Sequence, residues 1–139
     1  RSIVEARTKR PIETSLQLRK ILERYLIRGR QNKTLAQIYQ AIRIEVNNEI
    51  EALKRFLSDT KDVLKTGGRL SVISYHSLED RLVKRFIRNG MFEGEPQRDV
   101  FGNYKVPFKK IGKLIIPSKS EIKINNRARS AKLRIAEKL

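Results

Sequence analysis

Apolar residues recur every three or four positions in the first half of the chain and fall into short runs between glycine, proline and serine in the second. Helices are therefore expected first and a mixed α/β segment after them. Ile3-Val4-Glu5-Ala6-Arg7 forms or finishes a short helix, which Pro11 breaks because it lacks an N–H and disfavours helical geometry at Arg10. Thr14 or Ser15 can cap the next helix, whose stripe Leu18, Ile21, Leu22, Tyr25, Leu26 is one apolar face. Gly29 ends it, and Arg28, Arg30 and Lys33 form a basic link that reads as solvated loop before RNA contact. A long helix follows from about Thr34 to Leu57, with Leu35, Ile38, Ile42, Val46, Ile50, Leu53 and Leu57 in steps of three or four. Ser58 or Asp59 can cap a short continuation to Lys65, which Gly67-Gly68 stops.

Arg69 to Tyr75 is too apolar and β-branched for an exposed loop, and Leu70, Val72 and Ile73 suit a parallel strand covered on both faces. Ser77 is placed to cap the following helix, its hydroxyl taking the Asp80 N–H while the Asp80 carboxylate reaches back. That helix runs to about Asn89 with Leu78, Leu82, Val83, Phe86 and Ile87 inward. Gly90 to Asn103 dissolves into Gly, Pro and mixed charge, a loop of about 90–105. A strand over 108–116 ends at Pro117, Ser118 or Ser120 starts a short helix over 121–125, and 131–137 alternates in strand period. Ser74, His76 and Ser77 thus gather at the carboxyl end of a strand, the edge at which open α/β sheets bind ligands.

Charge changes the picture more than length does. With 139 residues the chain is one domain or a piece of a larger one, and its first residue, Arg1, suits a processed or truncated product. Thirty-two Lys and Arg stand against fifteen Asp and Glu, a net charge of +17. Solubility needs only about 2–8 charges in a small domain, so a polyanion is the expected partner. The absence of cysteine excludes disulfides and thiolate chemistry, and a single histidine, His76, excludes a multi-histidine metal site. No apolar run approaches the roughly 20 residues of a membrane span, no signal-peptide pattern opens the chain, and the cytoplasm is the expected location.

His76-Ser77 is a poor hydrolase pair, since neighbouring side chains diverge and no second histidine is present to act as base. His76 reads equally as a packed residue or one facing a substrate. Gln40, Arg43 and Asn47 form a polar stripe on the long helix, either a solvated face or a specific one, and Glu45 and Glu49 beside them read as solvated. Asn125-Asn126-Arg127-Ala128-Arg129-Ser130-Ala131-Lys132-Leu133-Arg134 places arginines in a turn before a strand, where phosphate contact is favoured over a charged surface. The aromatics are too scattered for a base-stacking platform. No glycine-rich loop joins a strand to a helix, so neither a dinucleotide fingerprint nor a P-loop is present.

Three blocks in order resemble one family. Gln40-Ala41-Ile42-Arg43-Ile44-Glu45-Val46-Asn47 with Glu49, then Gly67-Gly68-Arg69-Leu70 leading to Ile73-Ser74-Tyr75-His76-Ser77-Leu78-Glu79-Asp80-Arg81, then Asn126-Arg127-Ala128-Arg129-Ser130-Ala131-Lys132-Leu133-Arg134 are similar to the signature blocks of the MraW/RsmH methyltransferases. Ile3-Val4-Glu5-Ala6-Arg7 and Pro11-Ile12-Glu13-Thr14 extend the likeness over nearly the whole chain. Tyr75 stands where the family more often has Phe, and Asn126 where it has Pro.

The resemblance implies an α/β fold: the C-terminal part of a class I, Rossmann-like methyltransferase sheet with part of a helical insertion domain. Residues 1–35 would belong to that substrate-engaging insertion and 36–139 to the methyltransferase domain. The implied reaction moves a methyl group from S-adenosylmethionine to N4 of a cytidine in small-subunit ribosomal RNA, with the small ribosomal subunit as partner and neither metal nor membrane. The family's glycine-rich cofactor loop has no counterpart here, so this chain reads as an incomplete fragment without its own cofactor site. Ser74, His76 and Asp80 are the catalytic candidates, and Arg43, Asn47, Ser77, Arg127, Arg129 and Lys132 the candidates for RNA. A non-catalytic RNA-binding module and a ribosome-associated structural factor stay open as alternatives.

Overall fold

The computed structural model describes residues 1–96, 98–102 and 104–139. The chain divides into two compact units, Arg1–Glu49 and Ile50–Leu139. In the first, α1 (Ser2–Lys9) precedes α2 (Ser15–Leu22), whose end tightens into a 3-10 turn at Glu23–Tyr25. Thr14, not Ser15, is the cap: its hydroxyl accepts the Gln17 N–H at 3.2 Å, while the Gln17 side chain accepts the Thr14 N–H at 3.1 Å. Leu22 and Leu35 are the unit's buried apolar residues among those described, and the Tyr39 hydroxyl donates to the Ser15 carbonyl at 3.2 Å.

The single helix expected over 34–57 is two helices, α3 (Gln31–Val46) and α4 (Glu49–Val63). Asn47 caps α3, and Asn48 takes φ +50°, a left-handed conformation that asparagine tolerates better than most residues. The apolar stripe hides this break because both asparagines fall where it has a polar gap. Glu49, read as solvated, bridges the break. Arg43 donates to it from Nε at 2.7 Å and Nη2 at 3.0 Å, and Asn47 from Nδ2 at 3.2 Å.

The second unit is built on a three-stranded antiparallel sheet in the order β1-β3-β2, formed by β1 (Arg69–Ser74), β2 (Phe108–Ile115) and β3 (Lys132–Lys138). Val72 lies opposite Arg134 and Ser74 opposite Lys132, and a bulge between Ile111 and Ile115 shifts the β2 register. The expectation of a parallel strand covered on both faces therefore fails for β1. Leu70, Val72 and Ser74 share the covered face, whereas Ile73 is 58% exposed on the other. Leu70 and Val72 are two apart and Ile73 is out of phase, so the apolar run spans two faces of unequal burial.

Helix α5 (Ser77–Asn89) lays Val83, Phe86 and Ile87 against Leu57, Leu70, Phe108 and Ala136, with Leu53, Leu64, Val72 and Phe92 around them. The Phe86 ring lies 5.2 Å from Phe92 and 5.7 Å from Phe108, centroid to centroid. Leu78, expected inward, is 46% exposed at the first turn. Ser118 caps α6 (Lys119–Ile124), accepting the Glu121 N–H at 3.1 Å, and a 3-10 turn over Asn126–Ser130 leads into β3. The loop expected at about 90–105 holds neither helix nor strand in its described part, while Gln97 and Asn103 lie outside the described residues.

Gly90 ends α5 at φ +71°, and a Cβ there would meet Pro107 Cδ at 2.7 Å. Substitution would add left-handed strain of about 1–2 kcal/mol to a steric clash. Gly90→Ala is therefore expected to lower the melting temperature of the chain by several degrees in a thermal scan followed by circular dichroism; an unchanged melting point would contradict it.

Candidate active site

The carboxyl end of β1 and the first turn of α5 bring Ser74, His76, Ser77 and Asp80 together, and β3 adds Lys132. The expected Ser77 cap is displaced by one residue. His76 is the cap: its Nδ1 accepts the Glu79 N–H at 3.4 Å, and the Glu79 carboxylate accepts the N–H groups of Tyr75 at 2.9 Å and His76 at 3.4 Å. The spacing His76 to Glu79 is that of a capping box, with an imidazole nitrogen in place of the usual hydroxyl. Ser77 is thus the first residue of the helix, exposed, with its hydroxyl released from capping.

This cap occupies one nitrogen of the imidazole. A neutral histidine that accepts through Nδ1 carries its proton on Nε2. Nε2 lies 3.0 Å from Glu79 Oε1 but off the line of a hydrogen bond, and it is a buried nitrogen without a hydrogen-bond partner in the described structure. An unsatisfied buried donor is costly, and such atoms mark places where a ligand completes the bonding.

Asp80, expected to cap, turns instead toward β3. Arg134 grips its carboxylate with Nε at 2.7 Å and Nη2 at 3.2 Å, and Lys132 Nζ reaches it at 3.2 Å. Burial pushes the Asp80 carboxyl up, but the hydrogen bonds from Arg134 and then Lys132 outweigh it and hold the group below its usual range. Asp80 is therefore an anion saturated with donors and a poor proton acceptor. Ser74 is buried behind this cluster, its hydroxyl 3.5 Å from the Lys132 carbonyl.

Arg127 and Arg129 are exposed in the 3-10 turn before β3, which is anchored by Asn125 accepting the Arg127 N–H at 3.1 Å and by buried Ala128. Arg43 and Asn47 belong to the first unit, where both donate to Glu49. Two participants escaped the candidate set. Arg134 sits two residues from Lys132, hence on the same face of β3, a spacing visible in the sequence. Glu79 was detectable only by moving the helix start back one residue. Among the described residues no group of three or more His, Cys, Asp and Glu is placed to hold a metal ion, and no helix is long and apolar enough to cross a membrane.

An α/β unit whose strand end carries a capped helix and a cationic cluster finds its class in a family-wide match: the chain belongs to the MraW methylase family, whose model matches residues 1–139. It is 68% identical over 139 residues to ribosomal RNA small subunit methyltransferase H of Flavobacterium johnsoniae, covering 100% of this chain and 46% of that protein. The protein of the same name from Christiangramia forsetii is also 68% identical over 139 residues, with the same coverage. That from Cytophaga hutchinsonii is 53% identical over 137 residues, covering 99% of this chain and 46% of its own. The chain thus spans just under half the length of these relatives.

The lowered Asp80 pKa ties stability to acid. Its folded-state pKa lies below the unfolded value, so the contribution is complete above the unfolded pKa of about 3.9 and is lost as pH falls through the folded pKa. Asp80→Asn should remove about 2–3 kcal/mol at neutral pH, since it leaves Arg134 and Lys132 facing a weaker partner. Urea unfolding at pH 7 and pH 3 should show the two proteins converging in acid; an equal gap at both pH values would contradict the assignment.

Proposed function

We propose that this chain is the C-terminal part of an rRNA methyltransferase that moves a methyl group from S-adenosylmethionine to N4 of a cytidine in small-subunit ribosomal RNA. The observation that carries this reading is the strand-end site in a chain of this family: a buried imidazole whose Nε2 makes no aligned hydrogen bond, beside a cationic cluster held by Asp80. The names of the relatives, ribosomal RNA small subunit methyltransferase H, supply the substrate class. A net charge of +17 supports an RNA partner on the small ribosomal subunit, and the place of action would be the cytoplasm.

In this reading the sheet is the last part of a class I methyltransferase sheet. β1 is hydrogen-bonded only to β3 among the described strands, so one of its edges is free for a neighbouring strand, which suits the open side of a larger sheet. Residues 1–35 would belong to the helical insertion and 36–139 to the methyltransferase domain. The residues present do not fit a cradle for S-adenosylmethionine: no glycine-rich turn follows β1, and the Glu79 N–H in the first turn of α5 is taken by His76. The donor site is therefore assigned to the part of the protein beyond this chain.

What these residues do is hold and orient the cytidine. The lone pair of its N4 amine is delocalised into the ring, so the base must be fixed in one pose and kept from water. His76 Nε2–H is a donor suited to the ring N3 or carbonyl O2, both acceptors, and that contact would fix the ring plane. Ser74 and Asp80 act through others: Ser74 holds the strand end, and Asp80 holds Arg134 and Lys132. Ser77, Arg127 and Arg129 are the proposed contacts for the RNA chain, whereas Lys132 is held by Asp80, and Arg43 and Asn47 donate to Glu49 in the first unit, so their proposed part is structural.

The test is a methylation assay with the full-length protein on small ribosomal subunits lacking the mark, read by mass spectrometry of digested nucleosides. N4-methylcytidine is the expected product, and none would overturn the reading in favour of a binding module. His76→Ala should slow the reaction at least about tenfold, the equivalent of one lost hydrogen bond to a buried partner; an unaltered rate would remove His76 from the site. In calorimetry residues 1–139 alone should show no tight S-adenosylmethionine binding, and tight binding would overturn the assignment of the donor site to the rest of the protein.

A further inference from the structure

Away from the strand end, α5, β2 and β3 enclose a hollow of about 340 Å³. Ile87, Phe108 and Leu114 give it an apolar floor, and no carboxylate lines it. Lys84, Arg88, Lys110 and Lys113 surround it, all exposed. None of these four cations has an ion pair among the described residues. Four like charges round one apolar depression repel one another, and only an anionic occupant turns that cost into binding.

We propose that this hollow receives an unpaired nucleotide of the RNA substrate, its base against the accessible apolar side chains of Ile111 and Leu114 and its flanking phosphates on the lysine and arginine rim. The inference rests on the rRNA reading above and adds a second point of contact to it. A small organic acid would neutralise one rim charge, whereas an RNA strand crossing the hollow brings a phosphate to either side of the base. Phe108, 1% exposed, closes the bottom of the hollow, and Leu114, 37% exposed, is an apolar side chain that a base can reach. Arg134 borders this hollow and its guanidinium grips Asp80, so one residue joins the two sites. From Ser77 to Lys84 is seven residues of α5, about 10 Å along its axis. That is roughly three stacked nucleotides at about 3.4 Å each, which places the docked base a few nucleotides from the target.

The full-length protein and a fluorescent single-stranded oligonucleotide of the small-subunit rRNA around the target test this by anisotropy over a range of salt. Leu114→Lys fills the floor while adding a positive charge, so general electrostatics would tighten binding. The proposal expects at least about fivefold weaker binding instead. Lys84→Gln with Lys113→Gln, both at exposed positions, should flatten the slope of log affinity against log salt by about 1.4, or 0.7 for each lost phosphate contact. Leu114→Lys binding as tightly as the unchanged protein, or an unchanged salt slope for the double variant, overturns the proposal. If the unchanged protein binds the RNA and methylates the subunit while the variants bind equally well, this inference alone falls. If the unchanged protein neither binds nor methylates RNA, both fall.

Discussion

The carboxylate of Asp80 ties the first turn of α5 to β3, more than fifty residues further along the chain. A buried carboxylate costs several kcal/mol unless its oxygens are occupied, and here a bidentate guanidinium and an ammonium occupy them. The tie fixes the rotation of α5 about its own axis. Val83, Phe86 and Ile87 then face the sheet, and Leu78 is left at the surface. It also fixes where the helix begins, and so where His76 stands relative to the strand end. A neutral residue at position 80 would leave two cations on β3 under a helix with little reason to sit there.

Periodicity made the order of elements legible, and it failed where the physics was not periodic. The stripe from Leu35 to Leu57 continues through Asn47-Asn48 because both residues fall on its polar side, and only the positive φ of Asn48 and the Glu49 clamp mark the break. The apolar run at Leu70, Val72 and Ile73 gave the strand but not its pairing, since antiparallel pairing with β3 depends on residues sixty positions away. At the strand end the placement of the candidates was legible and their bonding was not. Ser74, His76 and Asp80 do meet at one strand end, yet the cap moved from Ser77 to His76, and Asp80 went to a partner that no local pattern contains. Long-range ion pairs are invisible to spacing rules, which is why neither Lys132 nor Arg134 was read as a partner of Asp80.

Basic charge in this chain is of two kinds. Arg134 and Lys132 are spent on Asp80 and Arg43 on Glu49, so these side chains hold the protein's own architecture. Arg127, Arg129 and the four cations around the hollow are exposed on segments whose backbones are held by buried residues, Ala128 in one case and Ile87 and Phe108 in the other. A charge fixed on an ordered backbone loses less entropy on meeting a phosphate than one on a loose tail. The excess that suggested a polyanion is thus partly structural, and the rest is spread over both units.

The one-residue shift of the helix cap has chemical as well as structural weight. Had Ser77 capped the helix, the His76 imidazole would have been free to choose either tautomer, and its role would have depended on whatever approached it. With Nδ1 accepting the Glu79 N–H, the neutral imidazole has Nε2 left as its donor. A donor is what the ring edge of cytosine requires at N3 and O2, and it is the opposite of what removal of a proton from the N4 amine would require. In the proposed reading, the cap makes His76 a residue that orients the base and not one that deprotonates it. With Asp80 held as a saturated anion, none of these three side chains is set up as a strong base, and precise presentation of the amine is the contribution this wall of the site can make.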